Sequence, residues 1–327
     1  MKTPFHSALV LSLSLTLASA ISADTAFTDA VGYSSGGLHP GMNLVGLRLH
    51  QSSVARGEIL SLGKDFAELG ALPRDGDHPL ELSLTQGTTY ILEITSGQKA
   101  GVIQEINHWQ GLRLTLSDDI SAAGVQLGDH FTLRQAATLN SVFDPRTCGL
   151  SQGPDAHTAD NVLIPQGATL GDFRRCFIFS TPEGSAWVDA DTGQPVGDLP
   201  LVYPDGLIVQ CKGPGVVQIP QTGEVKTGPT RSVVKHGLNL VATPYPAAAF
   251  LQDLGLANDL QKSDDPTKAD KVWIEDGNFG RFITYFLTAD NQWISSENGQ
   301  PVTDKIPVGS AILIERRGGD AMFCLGD

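Results

Sequence analysis

The sequence predicts an all-β protein made of two β-sheet domains of sandwich or small-barrel type, and three observations predict it. Short apolar runs recur between turn residues, with 36 glycines and 19 prolines in 327 residues; such density of turn formers divides a chain into many short strands. Several runs alternate apolar and polar side chains with a period of two, the pattern of a half-buried strand. Helical signals are few, and most of the C-terminal half is written twice, so the second domain is expected to be built from two similar halves.

Residues 1–20 read as a signal peptide. Lys2 supplies the positive start, residues 8–17 are apolar and Ala18-Ser19-Ala20 gives a small-x-small cleavage site. The apolar run is about half the roughly 20 residues a membrane-spanning helix needs, and no cysteine follows the site to carry a lipid. The expected location is therefore periplasmic or extracellular, with no membrane span.

Residues 24–146 are expected to form an N-terminal β-domain. Its strand candidates are Tyr90–Ile94 and residues 101–106, 112–116 and 130–134; residues 138–143, stopped by Pro145, can form one helical turn. Residues 147–327 are expected to form the C-terminal β-domain, with repeats at about 159–219 and 269–325. Ala159-Asp160-Asn161-Val162 answers Ala269-Asp270-Lys271-Val272, and Gly193-Gln194-Pro195-Val196 recurs as Gly299-Gln300-Pro301-Val302. Phe173, Phe177 and Trp187 answer Phe282, Phe286 and Trp293. Phe173/Phe282 and Phe177/Phe286 lie four apart on a strand, hence on one face, which is read as core. A longer-range echo links Gly41-Met42-Asn43-Leu44-Val45 to Gly237-Leu238-Asn239-Leu240-Val241, each opening a structural unit. Residues 247–254 are the other helical candidate, with Gly255 as the cap.

The net charge of −14 argues against nucleic acid and anionic lipid as partners, since both need clustered Lys and Arg. Four cysteines, Cys148, Cys176, Cys211 and Cys324, permit disulfides in an exported chain. At least one bridge is expected, with the pairing left open.

The stretches VGYSSGGLHPGMNLVGLRLHQ and YILEITSGQKAGVIQEI, with ADNVLIPQG, YPDGLIVQCKG, TGEVKTGPT, GLNLVATPYP, ADKVWIEDG and ILIERRGG in the second half, resemble a family of uncharacterised exported β-rich proteins known mainly from verrucomicrobial bacteria. The likeness covers nearly the whole chain after the signal. It implies export and a β-rich fold, and it implies no reaction and no site residue.

Candidate chemistry is sparse. Gly32-Tyr33-Ser34-Ser35-Gly36 fits the G-x-S-x-G of a hydrolase elbow, but glycines and Pro40 follow where a helix must start, so a loop at the first strand is the better reading. Asp189-Ala190-Asp191-Thr192-Gly193 resembles part of a calcium loop. Its counterpart Ser295-Ser296-Glu297-Asn298-Gly299 lacks the aspartates, so a tight turn explains both copies. Asp75, Asp77, Asp264, Asp265 and Asp270 read as loop acids. His39, His50, His78, His108, His130, His157 and His236 show no ligand spacing and read as loop or surface histidines. Among aromatics that could stack on sugars, Trp273, Phe279, Phe282, Tyr285 and Trp293 read as core, and Trp109, placed in a turn, is the exposed candidate.

No catalytic or metal-binding residue and no cofactor is therefore assigned. The function expected is a non-enzymatic structural or binding protein of the cell envelope or exterior, its partner unknown, with a polysaccharide or another envelope protein as the candidates. The alternatives are a glycan-acting hydrolase with dispersed carboxylates and a calcium-stabilised adhesion module.

Overall fold

A computed structural model describes residues 30–72, 80–166, 170–182, 184–243, 246–275, 281–303 and 305–326. Residues 1–20, read as a signal peptide, and Asp75, Asp77, His78 and Phe279 lie outside the described residues. The chain's regular secondary structure is nearly all strand, as the turn density and period-two runs require.

Two strands come first, β1 (Val31–Leu38) and β2 (Gly41–Val45). Six follow: β3 (Ser53–Leu62), β4 (Phe66–Gly70), β5 (Tyr90–Ile94), β6 (Ile103–Gln110), β7 (Arg113–Leu116) and β8 (His130–Gln135). These six close into an antiparallel barrel of order β3-β4-β7-β6-β5-β8. Inward positions such as Ile59, Leu69, Leu92, Ile94, Leu114, Phe131 and Leu133 fill it. Closure leaves none of the six as an edge.

The chain then passes through β9 (Ala137–Thr138) and the single turn α1 (Leu139–Val142), whose Thr138 caps it by accepting from the Ser141 N–H. Next are β10 (Asn161–Pro165), β11 (Phe173–Thr181), β12 (Gly184–Asp189), β13 (Pro200–Leu201), β14 (Leu207–Cys211) and β15 (Val217–Glu224). The last segment holds β16 (Thr230–Val234), β17 (Gly237–Ala242), β18 (Ala249–Phe250), β19 (Lys271–Glu275), β20 (Phe282–Leu287), β21 (Trp293–Ser295), β22 (Lys305–Ile306), β23 (Ala311–Arg316) and β24 (Ala321–Leu325). The helix expected at 247–254 shrinks to one 3₁₀ turn at Leu251–Leu254, ended by Gly255 at φ 77°.

Two five-stranded sheets share one topology. Their orders are β12-β11-β10-β14-β2 and β21-β20-β19-β23-β17. Each has a two-stranded ribbon built from the strand before and the strand after, β1 with β15 and β16 with β24, and a minor pair, β9 with β13 and β18 with β22. The repeat therefore runs from residue 31 to 224 and from 230 to 325, and the barrel is inserted into its first copy between β2 and β9. Insertion is tolerated because the barrel's own ends meet: Ser53 pairs with Arg134 across β3 and β8.

This differs from the boundary expected near residue 146. Residues 31–45 do not join the barrel; Gly41–Val45 pair with Cys211–Leu207, and Val31–Leu38 pair with Glu224–Val217. The sheets divide along the GMNLV echo instead, because that segment is the first sheet strand of each copy.

Side chains confirm the equivalence atom by atom. The Asn43 carboxamide accepts from the His39 N–H and donates to the carbonyls of His39, Gly41 and Val209. Asn239 does the same with Lys235, Gly237 and Ile314. Gly41 and Gly237, at φ 99° and 102°, make the turn that lets each Asn reach back.

The Asp160 carboxylate accepts from the Ser151 and Lys212 N–H groups, and Asp270 accepts from those of Gln261 and Arg317, all at 2.7 Å. Only the second copy adds a cation. Arg316 pairs with Asp270, whereas the equivalent position beside Asp160 is Cys211, since Cys211 faces Gly41 as Arg316 faces Gly237. Replacing Asp160 by Asn should cost about 1–3 kcal/mol through weakened charge-assisted bonds. Asp270→Asn should cost more, because a largely enclosed guanidinium is also left without its carboxylate; urea midpoints of the two variants, compared at pH 7, give the order.

The copies pack about an internal pseudo-twofold. Val45 bridges Ser310 and its equivalent Val241 bridges Asp205. Gly46 N–H donates to the Gly309 carbonyl at 2.8 Å, and Ala242 N–H donates to that of Pro204 at 2.7 Å. Leu44, Leu240, Ala311 and Leu313 form the apolar seam with Ile208, Trp273 and Phe282. Equivalent residues meet on the axis, where a Cβ on Gly46 would come within 2.9 Å of that of Ala242. The arrangement is isologous, as in a twofold dimer, but within one chain.

Phe177 and Phe286 are equivalent, facing Asn161 and Lys271, and both are buried. They lie on the face opposite the main cores. Cys176 and Ile178 point into the first core, Tyr285 and Leu287 into the second, whereas Phe177 packs in a small cluster with Ala159 and Val188. Trp187 is central in the first core, and its indole N–H donates to the Phe143 carbonyl at 2.8 Å.

The disulfide expectation is not met. Cys148, Cys176, Cys211 and Cys324 are all buried and no bridge links them. Three sit in the apolar core of the first copy, where a thiol packs as a small hydrophobe. Burial pushes the Cys176 and Cys211 thiols up to about 12, so neither is a nucleophile at neutral pH.

Candidate functional site

The densest polar feature lies where the barrel docks on the first copy. β5 is buried along its whole length and places Glu93 among buried neighbours, and β8 places Arg134 two strand positions from it across the pair, where Ile91 faces Arg134 and Glu93 faces Thr132. From the repeat module come Glu224 at the end of β15, Lys226 just after it and Tyr203 before β14. His50 lies on the link between β2 and the barrel and exchanges both backbone hydrogen bonds with Glu224.

The charged groups and Tyr203 bond one another. Arg134 donates to Glu224 and to the Gln51 carbonyl, with its Nε 3.7 Å from Glu93. Lys226 pairs with Glu93, and the Tyr203 hydroxyl donates to the same carboxylate at 2.6 Å. The second Glu224 oxygen accepts from the Ser53 N–H at 3.0 Å. Burial, and then Glu93, push the Tyr203 phenol well above its ordinary value, so it acts as a donor. Burial lowers the Lys226 ammonium, while Glu93 opposes that shift.

His50, 4% exposed, lies against Tyr203 with ring centroids 3.9 Å apart. Neither ring nitrogen has a hydrogen-bond partner. Burial, followed by the charges of Lys226 and Arg134, holds its pKa down at about 3.

A cleft of about 270 Å³ opens onto this cluster, lined by Arg56, Glu93, Thr132, Arg134, Glu224 and Lys226 among others. Chemically the cluster is a clasp. It ties two barrel strands to the module through ion pairs whose carboxylates are already bonded.

The remaining sequence candidates are dispersed. Gly32–Gly36 lies within strand β1, not at a strand-to-helix turn, and Ser34 accepts from Arg48 at 3.0 Å. The Asp189 carboxylate bonds Arg174 and the N–H groups of Asp191 and Thr192, which closes the turn. Asp265 bonds Thr267, and Asp264 accepts from the Ala289 N–H. Among the described residues no group of three His, Cys, Asp or Glu is placed to hold a metal, and no helix is long and apolar enough to cross a membrane.

Trp109 is in strand β6 rather than a turn, half-buried on the barrel core with its ring 5.9 Å from Tyr90. Its stacking role is withdrawn in favour of packing. His50 is the converse correction: read as a loop or surface histidine, it is enclosed, because the docking barrel covers it. Glu93, Arg134, Glu224, Lys226 and Tyr203 were not singled out in the sequence; the one local signal was an acid inside the apolar run Tyr90–Ile94. No family model, no curated protein and no solved structure matches the chain.

Proposed function

We propose that the protein is a non-enzymatic structural or binding protein of the cell envelope or exterior, in which a duplicated β-module carries an inserted barrel on a rigid joint. The observation that carries this reading is the state of Glu93 and Glu224. They share one cleft, the place where a hydrolytic pair would be sought, yet both surround the same Arg134 guanidinium and each has a second donor. A glycoside hydrolase needs one carboxyl kept protonated and the other free to attack or to activate water. Export rests on residues 1–20 and on the family resemblance. The partner classes that fit are a polysaccharide or another envelope protein.

A panel of insoluble and soluble polysaccharides tests the reading. The expected result is retention on at least one polymer without release of reducing ends. Reducing ends that appear with the wild type and vanish with Glu224→Gln would establish the hydrolase instead.

A further inference from the structure

Among the described residues, each deeply enclosed cation has a carboxylate, with one exception. Arg134 has Glu224, Lys226 has Glu93, and Arg316 has Asp270. Arg48 is 2% exposed, and its guanidinium makes one hydrogen bond, from Nη1 to the Ser34 hydroxyl at 3.0 Å. Its Nε has no partner. Burial alone shifts it, downward, with no acid opposing the shift. Arginine does not deprotonate in proteins, so the charge persists, and an uncompensated buried charge costs several kcal/mol.

The side chain sits where the two copies meet. A Cβ on Gly36 of β1 would lie 2.0 Å from Nη2, and one on Gly309 of the second copy 1.6 Å from Nε. Glycine on both sides is what allows the guanidinium this place. It lines a pocket of about 290 Å³ together with Gly37, His39, Asn43, Glu275 and Ser310. That volume is at the small end of ligand pockets, the size of a sugar acid or an amino-acid-sized molecule.

We infer that this pocket between the copies is a binding site for a small carboxylate, with Arg48 as its anion-recognising group. The guanidinium lines the pocket with donors still unused, since Nη1 bonds Ser34 and Nε has no partner, and a guanidinium pairs with a carboxylate through charge-assisted hydrogen bonds. A monoanion is favoured over a doubly charged phosphate, because Glu275 lines the same pocket and the chain carries a net charge of −14. The assignment deepens the binding-protein reading by naming a ligand class. Its failure would leave the polysaccharide panel to decide that reading separately.

The test is calorimetric titration of the full exported chain with D-glucuronate, acetate and inorganic phosphate, at ionic strength held constant with chloride. Glucuronate should bind saturably and more tightly than phosphate, and Arg48→Met should weaken it by about tenfold or more. Glu275→Gln, which leaves Arg48 in place, should tighten it severalfold by removing a like charge; this second variant keeps the test decisive if Arg48→Met does not fold. Absence of saturable glucuronate binding, an unchanged affinity in Glu275→Gln or in a folded Arg48→Met, or tighter binding of phosphate would overturn the assignment.

Discussion

Arg134→Met should destabilise the protein by about 3–5 kcal/mol, the loss expected when one partner of a buried ion pair is removed. The methionine fills much of the arginine stem's volume, so the loss reports charge and hydrogen bonding rather than a cavity. Glu224 would keep only the Ser53 N–H, and Glu93 would keep Lys226 and Tyr203. The stranded charge is thus mainly that of Glu224, which predicts a partial rescue. The double variant Arg134→Met/Glu224→Gln should lose less than the sum of the two single losses, a coupling read directly from a double-mutant cycle. Because the pair is enclosed, the loss should persist at high salt, where exposed pairs fade. Urea unfolding at pH 7 measures it. A change under about 0.5 kcal/mol, the size of an ordinary surface substitution, would mean that the clasp does not hold the barrel to the module.

The strands were legible wherever local chemistry decided them. Tyr90–Ile94 and α1 after Thr138 stand as read, because a short apolar run bounded by turn residues and a capping threonine act over a few residues. The copies were legible because Asn43 and Asn239, or Asp160 and Asp270, do the same work twice. Where the barrel begins was not legible. Whether residues 41–45 pair with the barrel or with Leu207–Cys211 is settled more than 160 residues away in sequence, and nothing in GMNLV states its partner. The disulfide expectation failed for a related reason: an even cysteine count speaks of compartment and not of distance.

Arg48 shows the limit most clearly. In Leu47-Arg48-Leu49 it occupies the polar phase of an alternating run, and alternation places it on the solvent side. It is buried because the second copy covers that face, a tertiary fact with no local trace. Glu93 is the counter-case. An acid between Leu92 and Ile94, in a strand buried along its whole length, is a local inconsistency of the kind that marks a special site.

His50 should make the protein acid-sensitive in a window that no surface histidine would produce. In the unfolded chain its imidazole titrates near 6.5, and in the fold at about 3. Between these values the unfolded chain binds a proton that the folded chain refuses, so stability falls as the pH drops through about 6.5 and the loss is complete only below the folded value. Burial and charge act in one direction: apolar Leu47, Leu49, Ile91, Ala137 and Leu201 enclose the ring together with Gln51, Gln135, Arg134 and Tyr203, and Lys226 and Arg134 are the charges that repel the imidazolium. At 1.36 kcal/mol per unit the loss is about 2 kcal/mol by pH 5 and approaches roughly 5 kcal/mol near pH 3. His50→Phe keeps a ring against Tyr203 and removes both the titration and two buried ring nitrogens that lack partners, so at pH 7.5 it should be neutral or stabilising. Urea unfolding of both proteins from pH 8 to pH 4.5 isolates the histidine, because every other titrating group is common to the pair. The variant's advantage should widen by about 2 kcal/mol between pH 7.5 and pH 5. Parallel profiles would mean that the folded protein admits the proton, and the enclosed, uncharged His50 described above would have to be abandoned.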